Sequence, residues 1–385
     1  MPELPQPESQ INSLDAWFAQ IDETRRAAHA ALQRAKADYK KHADCKRLPE
    51  EKWKVGDQVD MWKDLEISHL ERRNATSITE FILIGFPNPW KIQILLFLLF
   101  FLMLVATMIG NTLIIILVLT DYRLQSPMYF FLCNLSIIEI LITLTVVPKM
   151  LQSFLLEQKK ISFSGCFIQS YFYFLFGTSE YVLLAMMSYD RYVAICYPLH
   201  YTTIMSGKVC ISLVLASWMS GFFSILIPTV MKVGLPYCGP NVINHFFCDS
   251  APLLHLACAD IHLVEFIDFL VSLPIILGSL LLTSISYIYI VSTILHIPSA
   301  TGRQRAFSTC ASHFTVVSIG YGTSIFIYVR PSQTSSMNLN KIASLITTAI
   351  TPLLNPIIFT FRNQKVQEVF KDFIHKLTDT SKQLD

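Results

Sequence analysis

The chain of 385 residues is 52% hydrophobic and 15% charged. Soluble domains carry about a quarter charged residues, so this composition indicates a membrane protein. The formal net charge of +2 gives no reason to expect a nucleic-acid partner. The cysteines include no C-x-x-C pair, and we find no nucleophile–base, P-loop, dinucleotide-binding or H-E-x-x-H motif. The sequence therefore predicts neither a zinc-ribbon site nor an enzyme.

Residues 1–73 differ in composition from the rest of the chain and form a polar N-terminal extension. Residues 22–46 predict an exposed amphipathic helix, and residues 53–59 predict a short strand. Residues 1–10 hold acids and prolines, so we expect no cleavable signal peptide there. The string at 39–65 resembles the region after the catalytic core of retrotransposon integrases, without the catalytic acids. We interpret the extension, mostly helical or disordered, as an integrase-like remnant with no assigned function.

Seven apolar runs follow, each near or above the roughly 20 residues that a helix needs to cross a bilayer. They are residues 92–120, 127–151, 163–192, 209–231, 269–296, 306–329 and 342–361. In lipid only a helix satisfies its backbone polar groups within a single segment. An odd number of spans places the termini on opposite sides. Lysine and arginine favour the C-terminal side, which predicts an extracellular N-terminus and a cytoplasmic tail at 378–385.

Asp190 and Arg191 stand side by side where the third run stops, shortly before Pro198. Proline removes a backbone donor and discourages further helix, so the pair would lie near a helix end. Two interpretations are open at this point. The pair is either an anchor whose charges reach the lipid headgroups, or a functional group held in the membrane.

The stretch around this pair, MSYDRYVAICYPLHY (187–201), resembles the end of the third helix in rhodopsin-like G-protein-coupled receptors, in the form found in olfactory receptors. Four other motifs match the olfactory receptor pattern in the same order: TEFILIGF (79–86), SPMYFFLCNLSIIE (126–139), RAFSTCASH (305–313) and PLLNPIIFTFRN (352–363). Several long motifs in a fixed order are a specific signal. The resemblance covers residues 74–377.

The resemblance implies an all-α membrane protein, a seven-transmembrane helix bundle in the plasma membrane. It implies an odorant receptor that binds small, volatile, mostly apolar molecules and raises cyclic AMP through a heterotrimeric G protein of the stimulatory olfactory type. Residues 362–377 place Val366, Val369 and Phe373 on one face, which predicts a short cytoplasmic amphipathic helix on membrane lipid. The alternatives are a multi-span transporter, although no internal repeat is found, and a non-functional chimeric product.

The resemblance also assigns roles to individual residues. The odorant pocket would be lined by Tyr173, Phe174, Gly177, Thr178, Val271, Ile275, Ser324, Tyr328 and Thr348. The groups that couple this pocket to the G protein would be Asp190, Arg191, Tyr192, Tyr287, Asn355 and Pro356. From spacing alone, ordinary helix packing is the favoured interpretation of the aromatic and hydroxyl side chains of the first set, and the pocket is what the resemblance implies. None of these pocket residues carries a formal charge, so we do not expect an amine ligand.

Four cysteines and one asparagine point to the extracellular side. Cys166, Cys238, Cys248 and Cys258 group there, where the compartment is oxidising, but sequence alone leaves three pairings or free thiols open. The resemblance implies Cys166–Cys248 and Cys238–Cys258. Asn74 begins an N-glycosylation sequon just ahead of the first run.

Glu139 and Glu180 are acids deep within predicted helices. A carboxyl there must be protonated, paired or bound to a cation. The resemblance puts both near the place where many rhodopsin-like receptors hold sodium. Two protonated carboxyls, hydrogen-bonded to Asn111 or to nearby hydroxyls, are the alternative. Sodium is therefore a hypothesis, and no other metal or cofactor is predicted.

Overall fold

The computed structural model describes residues 78–86, 89–155, 159–238, 241–328 and 337–384. The extension at 1–73 and the sequon at Asn74 lie outside these ranges, so the helix, the strand and the glycosylation predicted there stay predictions. Some side chains of the sixth helix and of the C-terminal helix also lie outside the description.

Seven helices of the described ranges coincide with the seven apolar runs. They are α1 Trp90–Thr120, α2 Pro127–Leu155, α3 Phe163–Cys196, α4 Gly207–Val233, α5 His262–Leu295, α6 Ala300–Tyr328 and α7, residues 337–362. Most of these helices extend a few residues past the apolar runs. At the start of α3, the Ser162 hydroxyl accepts a hydrogen bond from Gly165 N at 3.1 Å. The predicted helical membrane bundle is confirmed.

The outside of the bundle is apolar, as lipid requires. Leu102 and Leu119 of α1 are 65% and 69% exposed, and Ile288 of α5 is 67% exposed. Within the described residues, five segments are long and apolar enough to cross a membrane: α1, α2, α4, α5 and Asn340–Phe359 of α7. Helix α3 is as long, but polar side chains such as Gln169 and Glu180 lower its mean hydropathy. Such residues are tolerated where a helix faces protein instead of lipid.

Helix α3 occupies the centre of the bundle and packs against α2, α4 and α5. Its buried hydroxyls find acceptors on their own helix: Ser179 Oγ donates to Leu175 O at 2.9 Å and Ser188 Oγ to Leu184 O at 3.0 Å. The helix therefore presents polar residues to its neighbours without leaving their hydrogen-bonding groups unsatisfied. Because α3 contacts these three helices, its side chains take part in most of the contacts described below.

A small sheet closes one end of the bundle, and the sequence did not predict it. Strands β1 Glu80–Leu83, β2 Lys160–Ser162 and β3 Val242–Ile243 lie in the order β2-β1-β3, with β1 antiparallel to β2 and parallel to β3. Phe81 and Leu83 of β1 are fully buried. Runs this short carry little periodic signal, so the alternation could not be recognised within TEFILIGF.

Two disulfides hold the same end, which we call the disulfide end. Cys166 at the start of α3 bonds to Cys248, with an S–S distance of 2.05 Å, and Cys238 bonds to Cys258. These are the two pairs that the family resemblance implies. The first bond fixes the segment 241–249 against α3.

Helix α7 is not a uniform α-helix. Its α-helical part Met337–Leu345 is followed by a π-helical turn, Ile346–Ile350, and by a second α-helical part, Thr351–Arg362. Helix α8 then runs from Gln364 to Leu384. The predicted amphipathic helix ended at residue 377, so this boundary was wrong: the predicted tail continues the helix as far as residue 384.

Helix α8 is fixed to the end of the bundle opposite the disulfides. We call this the ion-pair end, because Asp190 and Arg191 lie there. Arg123 Nη2 lies 2.8 Å from Asp372 Oδ2 of α8, and Tyr129 Oη donates to Asn363 Oδ1 at 3.2 Å. These bonds set the direction of α8 where it leaves α7.

The contact between α3 and α4 generates a prediction. A Cβ at Gly221 would stand 2.2 Å from Ser179 Oγ and 2.4 Å from Leu175 O, so Gly221→Ala must separate the two helices. Overpacking costs about 1–3 kcal/mol, more than the roughly 1 kcal/mol that alanine gains in helix propensity. We expect a lower thermal unfolding midpoint in detergent and less protein at the cell surface.

Gly278 on α5 is the matched control, since a Cβ there would meet no atom within 4 Å. Gly278→Ala should leave both measurements unchanged or slightly raised. Equal effects of the two substitutions would contradict the close packing of α3 on α4.

Candidate functional site

The candidate ligand region lies below the disulfide end, where a loop reaches α3. The ring of Tyr173 lies 4.6 Å from that of Phe247 and 5.2 Å from that of Phe174, measured between centroids. Gln169 fixes this loop, because its side-chain oxygen accepts a hydrogen bond from Cys248 N at 3.1 Å. The loop thus contributes an aromatic wall next to Tyr173 that the sequence did not indicate.

Open space adjoins this wall on α3. A Cβ at Gly177 would meet no atom within 4 Å, and Gly177 itself is half-buried. Thr178 on α3 and Val271 and Ile275 on α5 are also half-buried. The structure thus shows open space beside Gly177, and the other three residues keep part of their surface accessible, as residues that line a ligand site do.

Three predicted pocket positions lie on α6 and α7. Ser324 and Tyr328 belong to α6, but their side chains are outside the described part of the chain. Thr348 is buried, and its hydroxyl donates to Ser344 O at 2.7 Å within its own helix. Its neighbour Thr347 also donates to Ser344 O, at 3.0 Å, and in addition meets Tyr173, with 3.2 Å between the two hydroxyl oxygens. The π-helical turn explains this difference, because it inserts a residue and rotates the register assumed for an α-helix.

A second contact joins α3 to α6 nearer the middle of the bundle. Tyr181 Oη donates to Gly320 O at 3.2 Å, and its ring centroid lies 5.3 Å from that of Tyr321. Sequence reasoning missed Tyr181, although its position one residue after Glu180 on the polar side of α3 was an available signal.

Polar side chains of α1, α2 and α7 meet in the middle of the bundle. Asn355 Nδ2 donates to Glu139 Oε1. Asn111 Nδ2 donates to Thr107 O and to Pro352 O, each at 3.1 Å. Pro356 removes one backbone donor from α7 and packs on α1, where a Cβ at Gly110 would lie 3.1 Å from Pro356 Cβ. These bonds link α7 to both α1 and α2.

Several oxygens of this cluster have no hydrogen-bond partner among the described residues: Asn111 Oδ1, Glu139 Oε2, Thr143 Oγ1 and Asn355 Oδ1. Buried oxygens of this kind suit a hard cation, a proton or water. Glu180 is half-buried and close enough to interact electrostatically with Glu139. In the described ranges, no group of three or more His, Cys, Asp or Glu side chains is placed to hold a metal ion.

The ion pair is buried, contrary to the interpretation of a water-facing helix end. Asp190 is 1% exposed and Arg191 8%, and α3 continues beyond them to Cys196. Arg191 Nε donates to Asp190 Oδ2 at 3.0 Å. Tyr201 Oη donates to Asp190 Oδ1 at 2.7 Å. The interpretation of the pair as an anchor in the lipid headgroups is therefore wrong, since the carboxylate of Asp190 has two donors inside the protein.

Of the other predicted coupling residues, Tyr287 lies near this pair, whereas Asn355 and Pro356 lie in the middle of the bundle. Tyr287 of α5 lies with its Oη 2.7 Å from His313 Nδ1 of α6, and His313 adjoins the gap beside Arg191. Tyr192 points elsewhere: its Oη donates to Tyr197 Oη at 3.4 Å, and its ring packs on Tyr289. His313 and Tyr201 were missed as site residues, although each is the last residue of a motif that carries the family resemblance.

Comparison with known proteins decides the family. A family model described as olfactory receptor matches residues 100–377. Olfactory receptor 6J1 of Homo sapiens is 52% identical over 298 residues, 77% of this chain and 86% of the relative. The chain belongs to the olfactory receptor family.

Other relatives cover still more of their own length. Olfactory receptor 6T1 of Homo sapiens is 53% identical over 299 residues, 78% of this chain and 93% of the relative. Olfactory receptor 6E1 of Mus musculus is 49% identical over 304 residues, 79% of this chain and 97% of the relative. The protein is thus an odorant receptor of the G-protein-coupled class, and this membership replaces the transporter alternative.

The contact between Tyr173 and Thr347 yields a prediction for the receptor. Tyr173→Phe and Thr347→Val each remove one hydroxyl and keep the shape of the side chain. A hydrogen bond contributes about 0.5–1.5 kcal/mol, so the midpoint of the response to a known agonist should move about twofold to tenfold. The double variant should move it no further than either single variant, because both lose the same bond.

Thr348→Val is the control, because that hydroxyl bonds only to Ser344 O of its own helix in the described contacts. It should leave the midpoint near that of the unmodified receptor at equal surface density. Additive shifts in the double variant would show that the two hydroxyls act separately.

Proposed function

We propose that the receptor lies in the plasma membrane with its disulfide end outside and its ion-pair end in the cytoplasm. The two disulfides support this orientation, because such bonds persist in an oxidising compartment. Odorants bind between α3, α5, α6 and α7 at the predicted residues other than Thr348, whose hydroxyl bonds within its own helix, and beside Thr347. The ligand is small and mostly apolar, since aromatic rings and a few hydroxyls line this region. The partner is a stimulatory olfactory-type G protein that raises cyclic AMP.

Signalling is a population shift between two arrangements of the helices. In the arrangement described, α6 is tied to α3 by Tyr181 and to α5 by the bond between Tyr287 and His313. An odorant that binds more tightly when α6 stands away from α3 favours the second arrangement. Arg191 then leaves Asp190 and becomes available to the G protein. Asn355 and Pro356 form the part of α7 that yields, since proline has already removed one backbone bond.

The buried ion pair carries this proposal. Arg191 is held by Asp190, and Asp190 is held a second time by Tyr201. Removing one partner of a buried pair costs about 3–5 kcal/mol, because the other charge remains unpaired. A G protein that supplies new acceptors for the guanidinium could offset that cost. Without a G protein, Arg191 would stay bonded to Asp190.

Sodium belongs to the same proposal as an optional partner. Glu139, Asn111 and Thr143 would hold it through oxygens that have no hydrogen-bond partner in the described chain, and Glu180 would add a second carboxyl. When bound, the cation supplies positive charge to acids that lipid and protein otherwise force to be neutral. Protonated carboxyls are the alternative occupant of the same cluster.

The test uses the two partners of the pair separately. Asp190→Asn removes the charge that holds Arg191, so basal cyclic AMP per surface receptor should rise several-fold. Tyr201→Phe removes the second donor to Asp190 and should change basal cyclic AMP less.

Arg191→Ala should abolish the agonist response and lower the surface level, because Asp190 is left buried and unpaired. Combining Arg191→Ala with Asp190→Asn should restore the surface level but not the response.

Asp121 and Arg123 provide a matched pair at the same end. Their side chains are 2.8 Å apart, but Arg123 is also bonded to Asp372 and is more exposed. Asp121→Asn should leave basal and stimulated cyclic AMP unchanged. Normal signalling by Arg191→Ala at matched surface density would remove Arg191 from the mechanism.

A further inference from the structure

Lys341 is a buried cation at the disulfide end. It lies in the first part of α7 and is 4% exposed. Its ammonium donates to Gly85 O at 3.0 Å and to Asn244 Oδ1 at 2.7 Å, and Nζ lies 6.0 Å from the centroid of the Phe86 ring. All of these neighbours are neutral.

The other well-buried cations of the described chain have carboxylate partners. Arg191 pairs with Asp190, and Lys232 Nζ lies 2.8 Å from Asp268 Oδ2. No ion pair of Lys341 occurs within the described ranges. An ammonium has three hydrogens to donate, and two are used. A buried charge is costly unless an opposite charge or enough hydrogen bonds compensate for lost water.

His245 follows Asn244, the residue that bonds to Lys341, and the charge of Lys341 acts on its imidazole ring. It is 2% exposed, and neither ring nitrogen has a hydrogen-bond partner among the described residues. Phe246 and Phe247 enclose it, each with a centroid 4.6 Å from the imidazole. Burial and the charge of Lys341 lower the pKa of His245 to about 3. The ring is therefore neutral and offers one N–H donor.

We propose that Lys341 and His245 bind a small monovalent anion at the disulfide end. The anion would give Lys341 its missing counter-charge, accept its third N–H and accept the N–H of His245. One negative charge matches one ammonium, because a divalent anion would leave an unpaired charge among phenylalanine rings. Two sources share this chemistry: chloride from the extracellular fluid, and the carboxylate of a small organic acid.

The anion site would also tie three segments together. Gly85 follows strand β1, Asn244 and His245 follow strand β3, and Lys341 belongs to α7. An anion bound at their junction would stabilise the folded receptor over the unfolded chain by mass action. This role goes beyond odorant detection, since it needs neither an odorant nor a G protein.

The experiment measures thermal unfolding of the full-length receptor in detergent at constant ionic strength and pH. Chloride replaces the bulky anion 2-(N-morpholino)ethanesulfonate in steps. Saturable binding should raise the midpoint by about 3 °C at ten times the dissociation constant. If chloride has no effect, propionate is titrated in the same way, and a saturable rise assigns the site to an organic carboxylate.

Lys341→Met should abolish the anion-dependent shift, and Lys341→Arg should retain part of it. Lys149→Met is the matched control, because Lys149 also donates to one amide oxygen, of Gln152, and to one backbone carbonyl, of Lys160. That variant should keep the full shift. If Lys341→Met does not fold, His245→Phe answers the question, since it preserves the ring stack and should weaken anion binding at least threefold.

Two results would overturn the proposal. One is a midpoint that responds to neither chloride nor propionate. The other is a shift that persists unchanged in Lys341→Met or in His245→Phe, which would mark a general salt effect. Failure of these tests would leave odorant signalling untouched, because cyclic AMP is not part of the measurement.

Discussion

Helix α3 is held at both ends by polar bonds inside an apolar bundle, and the remaining helices are arranged around it. At the disulfide end, the bond between Cys166 and Cys248 and the side chain of Gln169 fix the loop. At the ion-pair end, Asp190 is bonded to Arg191 and to Tyr201. Lipid cannot satisfy such groups, so each must find its partner within the protein.

The helices could be predicted because seven long apolar runs have few alternatives in a membrane. Burial of the ion pair could not, because the charges stand close to Pro198 in the sequence. Helix α3 continues to Cys196, and side chains from other segments, such as Tyr201 and His313, lie beside Asp190 and Arg191. Which distant side chains approach the pair is a property of the folded chain, so the position of Pro198 alone did not decide whether the charges are exposed.

The candidate site could likewise be predicted only in part. Tyr173 and Gly177 were predicted from the family resemblance, and a regular α-helix places them on one face; their part in ligand binding stays a prediction. Thr347 was missed because the π-helical turn Ile346–Ile350 changes the register of α7, and no local signal marks such a turn. Phe247 was missed because a disulfide brings its loop to α3. Lys341 looked like an ordinary residue at a helix start, and only the folded chain shows its neutral surroundings.

Helix α7 relates these observations to one another. Lys341, Thr347 and Asn355 lie along it in sequence, and their partners belong to the disulfide-end loop, to α3 and to α2. The π-helical turn lies between the contacts of Lys341 and Asn355, and Pro356 follows directly. The segment of α7 most able to change its hydrogen bonds therefore lies between two residues that are bonded to other parts of the bundle. In the proposed function, a ligand beside Tyr173 and Thr347 would act directly on that segment. A rearrangement there would reach the bond between Asn355 and Glu139 without any change at Lys341, which allows anion binding and signalling to be separate properties of one helix.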